Sequence, residues 1–160
     1  MNGMILVRHA VSADLPHLAE IAKTSATAAH WSNDEYAKLI APEMVQERVT
    51  LVIEQDGVVA GFIVGRPLAE EWEIENIAVR GPARRRGMGS HLLGEFLNLA
   101  RNRGGKQVFL EVRESNQAAR SLYEKWAFIE SGRRGSYYQD PVEDAVILKF
   151  CFPQGCIKLG

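Results

Sequence analysis

A chain of 160 residues has the length of one domain and can bury roughly 70% of its unfolded surface without help from metals or disulfides. Apolar residues make up 46% and charged residues 24%, proportions that exclude a disordered or fibrous chain. Nineteen Lys and Arg against twenty Asp and Glu leave a net charge of -1, so a global electrostatic footprint for nucleic acid is absent.

Met4 to Arg8 reads as a short strand, and its apolar part stops at Arg8, too soon for a signal-peptide core. Asp14, Leu15, Pro16, Leu18, Ile21 and Ala22 predict a capped helix with Pro in its first turn. A second helix should start at Ser32, because Ser32 and Glu35 have capping-box spacing and Trp31 and Tyr36 can close a hydrophobic staple around it. Val49 to Glu54 and Val58 to Val64 are β-branched runs joined by Asp56-Gly57, a strong hairpin signal. A third strand follows from Trp72 to Val79.

After a Gly/Pro/Arg loop, Leu92, Leu93, Phe96, Leu97 and Ala100 recur at helical spacing up to Gly104-Gly105. Val108 to Val112 has the content of a buried strand. Ala119, Leu122, Tyr123 and Trp126 mark a further helix, and Ala145 to Phe150 a last strand. Residues 133–140 fit either an acceptor-side loop or a solvated hairpin. The two cysteines, Cys151 and Cys156, form neither a disulfide framework nor a metal motif, and His9, His17, His30 and His91 have no ligand spacing. No run is long enough to span a membrane, so a reducing cytoplasm is the expected compartment.

These elements predict an α/β protein (an α+β mixed sheet) in the order β-α-α-β-β-β-α-β-α-β-β, with helices on both faces of a central mixed sheet and one domain over 1–160.

Arg84-Arg85-Arg86-Gly87-Met88-Gly89-Ser90 lies between a predicted strand and a predicted helix. Glycines let a ligand approach the backbone, and the N–H groups of a helix N-terminus favour phosphate. A dinucleotide fingerprint fails at Leu92, and a P-loop fails at Arg86. What remains, Arg/Gln-x-x-Gly-x-Gly/Ala opening a helix, resembles the pyrophosphate loop of the GCN5-related N-acetyltransferases, whose ligand is acetyl coenzyme A. Read alone, the glycines would equally serve a tight turn and the arginines a solvated surface.

Further blocks extend the resemblance to the RimI-type ribosomal-protein-alanine N-acetyltransferases. They are Trp31-Ser32, Glu75 to Val79, Leu110 to Asn116, Leu122 to Lys125 with Phe128, Arg133-Arg134 with Tyr137-Tyr138, and Glu143-Asp144-Ala145. That resemblance implies the family's fold and makes Ile77, Ala78 and Val79 backbone ligands of the pantetheine and thioester. It gives the pyrophosphate to Arg85, Arg86, Gly87, Met88, Gly89 and Ser90, and the pantetheine arm also to Asn116. It makes Glu111 the general base and Tyr123 the general acid, with no metal. The acceptor it implies is a protein N-terminus, the alanine of a small-subunit ribosomal protein, with no nucleic-acid or membrane partner.

Each residue also has a plainer explanation. Glu111 could pair with Arg113 two residues along the same strand face. Tyr123 could be a core tyrosine, and Asn116 only a helix N-cap. Two departures from the family stand out: Ala127 where relatives carry Gly at a helix end, and Pro82 one position later than usual.

Neither cysteine lies near these blocks, so direct attack by the substrate amine is expected rather than an acyl-cysteine route. An α-amino group is about 10% neutral at pH 7 and a lysine about 0.04%, which favours a protein N-terminus. Basic residues following that N-terminus would suit an acidic rim, for which Asp34, Glu35, Glu70 and Glu71 are candidates. Acetylation of lysine side chains or small amines, or non-catalytic coenzyme A binding, are the competing functions. Oligomeric state and the role of the tail from Cys151 are not legible.

Overall fold

The computed structural model describes residues 3–25, 27–29, 31–40, 48–81 and 87–153. The chain runs β1 (Ile5–His9), α1 (Leu15–Thr24), α2 (Asn33–Ala37), β2 (Val49–Gln55), β3 (Val58–Leu68), β4 (Glu71–Val79), α3 (Met88–Asn102), β5 (Gln107–Arg113), α4 (Gln117–Lys125), β6 (Ile129–Tyr138) and β7 (Glu143–Cys151). Short 3-10 turns precede α1 at Ser12–Asp14 and follow α2 at Lys38–Ile40. The order is the expected one, and residues 133–138 belong to a strand rather than a loop. No described helix is long and apolar enough to cross a membrane.

The seven strands form one sheet in the order β1-β2-β3-β4-β5-β7-β6. All neighbours are antiparallel except β4 and β5, which α3 joins as a parallel crossover pair. Asp56 and Gly57 both have positive φ, 52° and 81°, and close the β2–β3 hairpin in two residues, the geometry that matches strand twist.

Alternation along β2 and β3 sends side chains to two separate cores. Leu51, Ile53 and Ile63 join Leu92, Leu93 and Phe96 of α3, whereas Val52, Phe62 and Val64 join Leu18 and Ile21 of α1 and Tyr36 of α2. Strands covered on both faces read as continuous apolar runs, which is why these were conspicuous in the sequence.

Helix ends follow local chemistry in two of three cases. The Ser32/Glu35 capping box is present, with Trp31 and Tyr36 ring centroids 5.4 Å apart across it. At α1 the expected Asp14 cap is absent. The Asp14 carboxylate accepts from Arg8 through two nitrogens at 2.8 and 3.0 Å and from the Val11 N–H, and Arg8 holds its carboxyl below the usual carboxylate range. An N-cap is worth about 1 kcal/mol, less than a buried carboxylate gains from a bidentate guanidinium.

At the end of α4 Ala127 takes the left-handed conformation, with φ 69°. The Phe128 N–H donates to the Tyr123 carbonyl at 3.1 Å and the Ala127 N–H to the Glu124 carbonyl at 3.0 Å, the Schellman pattern, with the Tyr123 and Phe128 rings 5.3 Å apart. Ala127→Gly should therefore stabilise the protein by about 1 kcal/mol, read as a raised denaturant midpoint with unchanged m-value. Cys151, at the end of β7, is disulfide-bonded, which corrects the expectation that the cysteines form no disulfide framework.

Candidate active site

The parallel pair is short. β4 and β5 are in register only at Glu71–Gln107, Trp72–Val108 and Glu73–Phe109, after which β5 continues alongside β7 as far as Arg113. The cause lies in β4, where Ile74 pairs with Gly65 and Asn76 with Val64, so that Glu75 is an extra residue. Such a bulge bends its strand and reverses the side-chain alternation beyond it. Two backbone edges are thereby opened in the middle of the sheet.

Hydrogen-bond alternation fixes which groups line the opening. The Arg80 N–H donates to the Ala60 carbonyl, so peptide groups of even-numbered residues at this end of β4 turn to β3, including those of Ala78. The N–H and C=O of Ile77 and Val79 turn into the opening, while their side chains are buried in the core.

At the mouth stands the N-terminus of α3. Gly87 occupies its N-cap position with φ 75°, a conformation costly for residues with a Cβ. The first N–H groups of α3 have no carbonyl partner within the helix. Met88 has its side chain in the core, 1% exposed, so only its backbone can meet a ligand. Arg85 and Arg86 lie outside the described residues.

Gly87, Gly89, Ser90, Leu122, Val79 and Lys125 surround a cavity of about 400 Å³ at the mouth. It meets a second cavity of about 710 Å³ at Ser25, Thr27, Ile77 and Ala118, residues that line both. The larger cavity is walled by Glu111 of β5, Asn116 and Tyr123 of α4, Glu75 of β4, Trp31 and Tyr138. Folding therefore gathers Glu111, Asn116, Tyr123 and Ile77 around one space from three stretches of chain.

Glu111 does not pair with Arg113. Its Oε1 lies 2.7 Å from Nε of Arg134 on β6, while Arg113 binds Glu143 at 3.0 Å and lies over the Tyr138 ring at 4.4 Å. The charge of Glu111 also pushes the phenol of Tyr137 up, and burial first and Glu111 second push Tyr138 up to about 12. Glu143 organises the neighbouring turn: its carboxylate accepts from the Ser115 N–H at 3.1 Å and hydroxyl at 3.0 Å. Asn116 then caps α4, its Oδ1 accepting from the Ala119 N–H at 3.1 Å.

Tyr123 is 4% exposed, and burial alone pushes its phenol well above the usual tyrosine value. It stays protonated at neutral pH, the state from which a hydroxyl can donate.

Residues that the sequence did not single out complete the walls. Asn76, 3% exposed, accepts from the Ala29 N–H through Oδ1 at 2.8 Å and donates from Nδ2 to the Tyr36 hydroxyl at 3.2 Å. A buried Asn inside a β-branched strand was the available signal, because it needs partners. Asn76→Ala leaves two buried groups unpaired and should lower stability by about 2 kcal/mol, measured by chemical denaturation. Arg48 clasps Glu75 through Nε and Nη2 at 3.1 and 3.0 Å and lies 5.8 Å from the Trp31 ring centroid.

The acidic rim expected at Glu70 and Glu71 is not at the opening. Both sit at the opposite end of β4, where Glu70 pairs with Lys106 and Glu71 with Lys149 and Gln107. Glu35 is engaged with the Ser32 N–H at 2.9 Å. The carboxylates that do line the cavity are Glu75 and Glu111, with Glu73 beside them pushed up by burial.

The model of the acetyltransferase (GNAT) family matches residues 15–128. A curated relative from Escherichia coli strain K12, named [ribosomal protein bS18]-alanine N-acetyltransferase, is 34% identical over 84% of this chain and 89% of its own. Among solved structures, the Escherichia coli ribosomal-protein-S18-alanine N-acetyltransferase superposes with a TM-score of 0.82 at 30% identity, covering 98% of this chain and 99% of that one. Ard1 from Thermoplasma volcanium gives 0.81 at 28% identity, over 92% and 97%. A family match across most of the chain thus coincides with a sheet that opens beside a helix N-terminus, and the chain belongs to the GNAT family as an acetyl-CoA-dependent N-acetyltransferase.

Proposed function

We propose that this N-acetyltransferase acts on the α-amino group of a protein N-terminus, the alanine of a small-subunit ribosomal protein, in the cytoplasm. The observation that carries the reading is the meeting of Glu111 and Tyr123 in one cavity that continues into the mouth at Gly87 to Ser90. The relatives' names supply the acceptor.

The residues present fit the cosubstrate. For phosphates the mouth offers the first N–H groups of α3, which have no carbonyl partner within the helix. The edge of β4 offers Ile77 and Val79 peptide groups to amides of an extended arm, with Asn116 on the facing wall. Bound there, acetyl-CoA supplies the acetyl group and a thiol as leaving group. The Ile77 N–H is placed to polarise the thioester carbonyl. Glu111, directly or through one water, takes the proton from the attacking amine as its C–N bond forms. Tyr123 gives its hydroxyl proton to the sulfur as the C–S bond breaks.

Glu75 and Glu111 line the cavity, each with an arginine partner, Arg48 and Arg134, so a cationic N-terminus would compete with those arginines for the two carboxylates. Free and N-terminally blocked versions of an alanine-starting basic ribosomal peptide, incubated with acetyl-CoA and read by mass spectrometry, test the proposal. Modification of the free peptide alone supports it, whereas equal modification of both redirects the assignment to lysine side chains.

A further inference from the structure

The two groups of β4 best placed to bind an extended ligand are already engaged by side chains of the segment that follows α1. The Thr27 hydroxyl donates to the Ile77 carbonyl at 2.8 Å, and the Val79 N–H donates to Oγ of Ser25 at 3.4 Å. The two hydroxyls are also within hydrogen-bond distance of each other, at 3.0 Å. All four residues border the mouth cavity, and Ser25, Thr27 and Ile77 border the larger cavity too, so the hydroxyls sit where any arm running from one cavity to the other must pass.

We infer that Ser25 and Thr27 are positioning residues whose hydroxyls compete with the cosubstrate for the β4 edge and yield it on binding, coupling that binding to the shape of the acceptor wall. The inference rests on the reading that the pantetheine arm lies along Ile77 and Val79.

The chemistry of the contacts favours displacement. A hydroxyl and an amide offer the β4 edge the same kinds of bond, so the exchange conserves hydrogen bonds. The 3.4 Å contact at Val79 is at the long limit of hydrogen bonding and is cheaply given up. Among the described residues the segment is also held by the Ser25 N–H on the Ala22 carbonyl at 3.3 Å and the Ala28 N–H on the Ser25 carbonyl at 3.4 Å, both long contacts. Beyond Thr27, the Ala29 N–H is fastened to Asn76, and Trp31 forms part of the acceptor wall. Because Ser25 and Thr27 border the larger cavity as well as the mouth, their displacement changes the acceptor wall directly.

Thr27→Val and Ser25→Ala, made separately and together in the full chain, remove the competing hydroxyls. By calorimetry, coenzyme A should bind the double variant about three- to tenfold more tightly than wild type, the size of one net hydrogen bond. The acceptor-peptide KM should rise while kcat changes little, and Thr27→Ser should restore the wild-type values. Merely structural hydroxyls would give the opposite sign, with weaker coenzyme A binding and a lowered Tm. Unchanged or weakened binding overturns the inference. Amide chemical shifts of wild-type Ile77 and Val79 on adding coenzyme A separate the two levels. If they move, a failure in the variants belongs to Ser25 and Thr27 alone. If they stay fixed, the placement of the arm on β4 fails first, and this inference with it.

Discussion

Glu111→Gln should lower kcat/KM for the acceptor peptide by about 10²- to 10⁴-fold while leaving the affinity for coenzyme A unchanged. The carboxylate stands on β5 facing the larger cavity, away from the mouth, so its charge bears on the amine and not on the phosphates. Gln preserves its shape and one acceptor oxygen but cannot take a proton. The substitution also frees Arg134, whose side chain is 57% exposed and returns to water. A pair of that exposure contributes at most about 1 kcal/mol, so Tm should scarcely move. Steady-state kinetics and a thermal melt on the same preparation check this. Retained activity, or a lost fold, would remove Glu111 from the role of base.

Tyr123→Phe should lower kcat by about 10²-fold with little change in acceptor KM. The ring packs in the core against Phe128 and Phe keeps that contact, so stability should hold within about 1 kcal/mol. Burial raises the phenol, so the proton-bearing form persists on the alkaline side, and wild-type kcat should show no decline through pH 10, the usual tyrosine value. A thiol leaving group of lower pKa in the acyl donor should need the proton less and partly rescue Tyr123→Phe. Equal losses with every leaving group would mean that the hydroxyl only shapes the cavity.

The two residues differ in how far the chain alone disclosed them. Tyr123 lies on the same helix face as Ala119 and Trp126, and its burial follows from that periodicity. Its helix is closed by Ala127, where relatives carry Gly, and the left-handed backbone there emerged only with the structure. Glu111 was conspicuous as a carboxylate between Leu110 and Val112, and the plainer alternative, a pair with Arg113, is not the one that forms. Arg113 shares its strand face, yet Arg134 comes from β6, and the register of β6 on β7 and β7 on β5 brings the guanidinium within 2.7 Å. The acidic rim failed for a related reason. Glu70 and Glu71 adjoin the other carboxylates of β4 in sequence, but the strand carries them to its far end.

The sequence by itself determined what depends on near neighbours: the order of strands and helices, the Asp56-Gly57 turn, the capping box at Ser32 and the helix-opening glycine loop. Hydrogen bonds and side-chain periods that reach only a few residues set these, so local residue types suffice. The tertiary structure alone decided the opening between β4 and β5, which hangs on one extra residue, Glu75, measured against the register of β3. It alone decided that Ser25 and Thr27 reach Ile77 and Val79 across fifty positions of chain. Such contacts depend on how distant strands are aligned, and in a sheet a one-residue change of alignment turns every side chain to the other face.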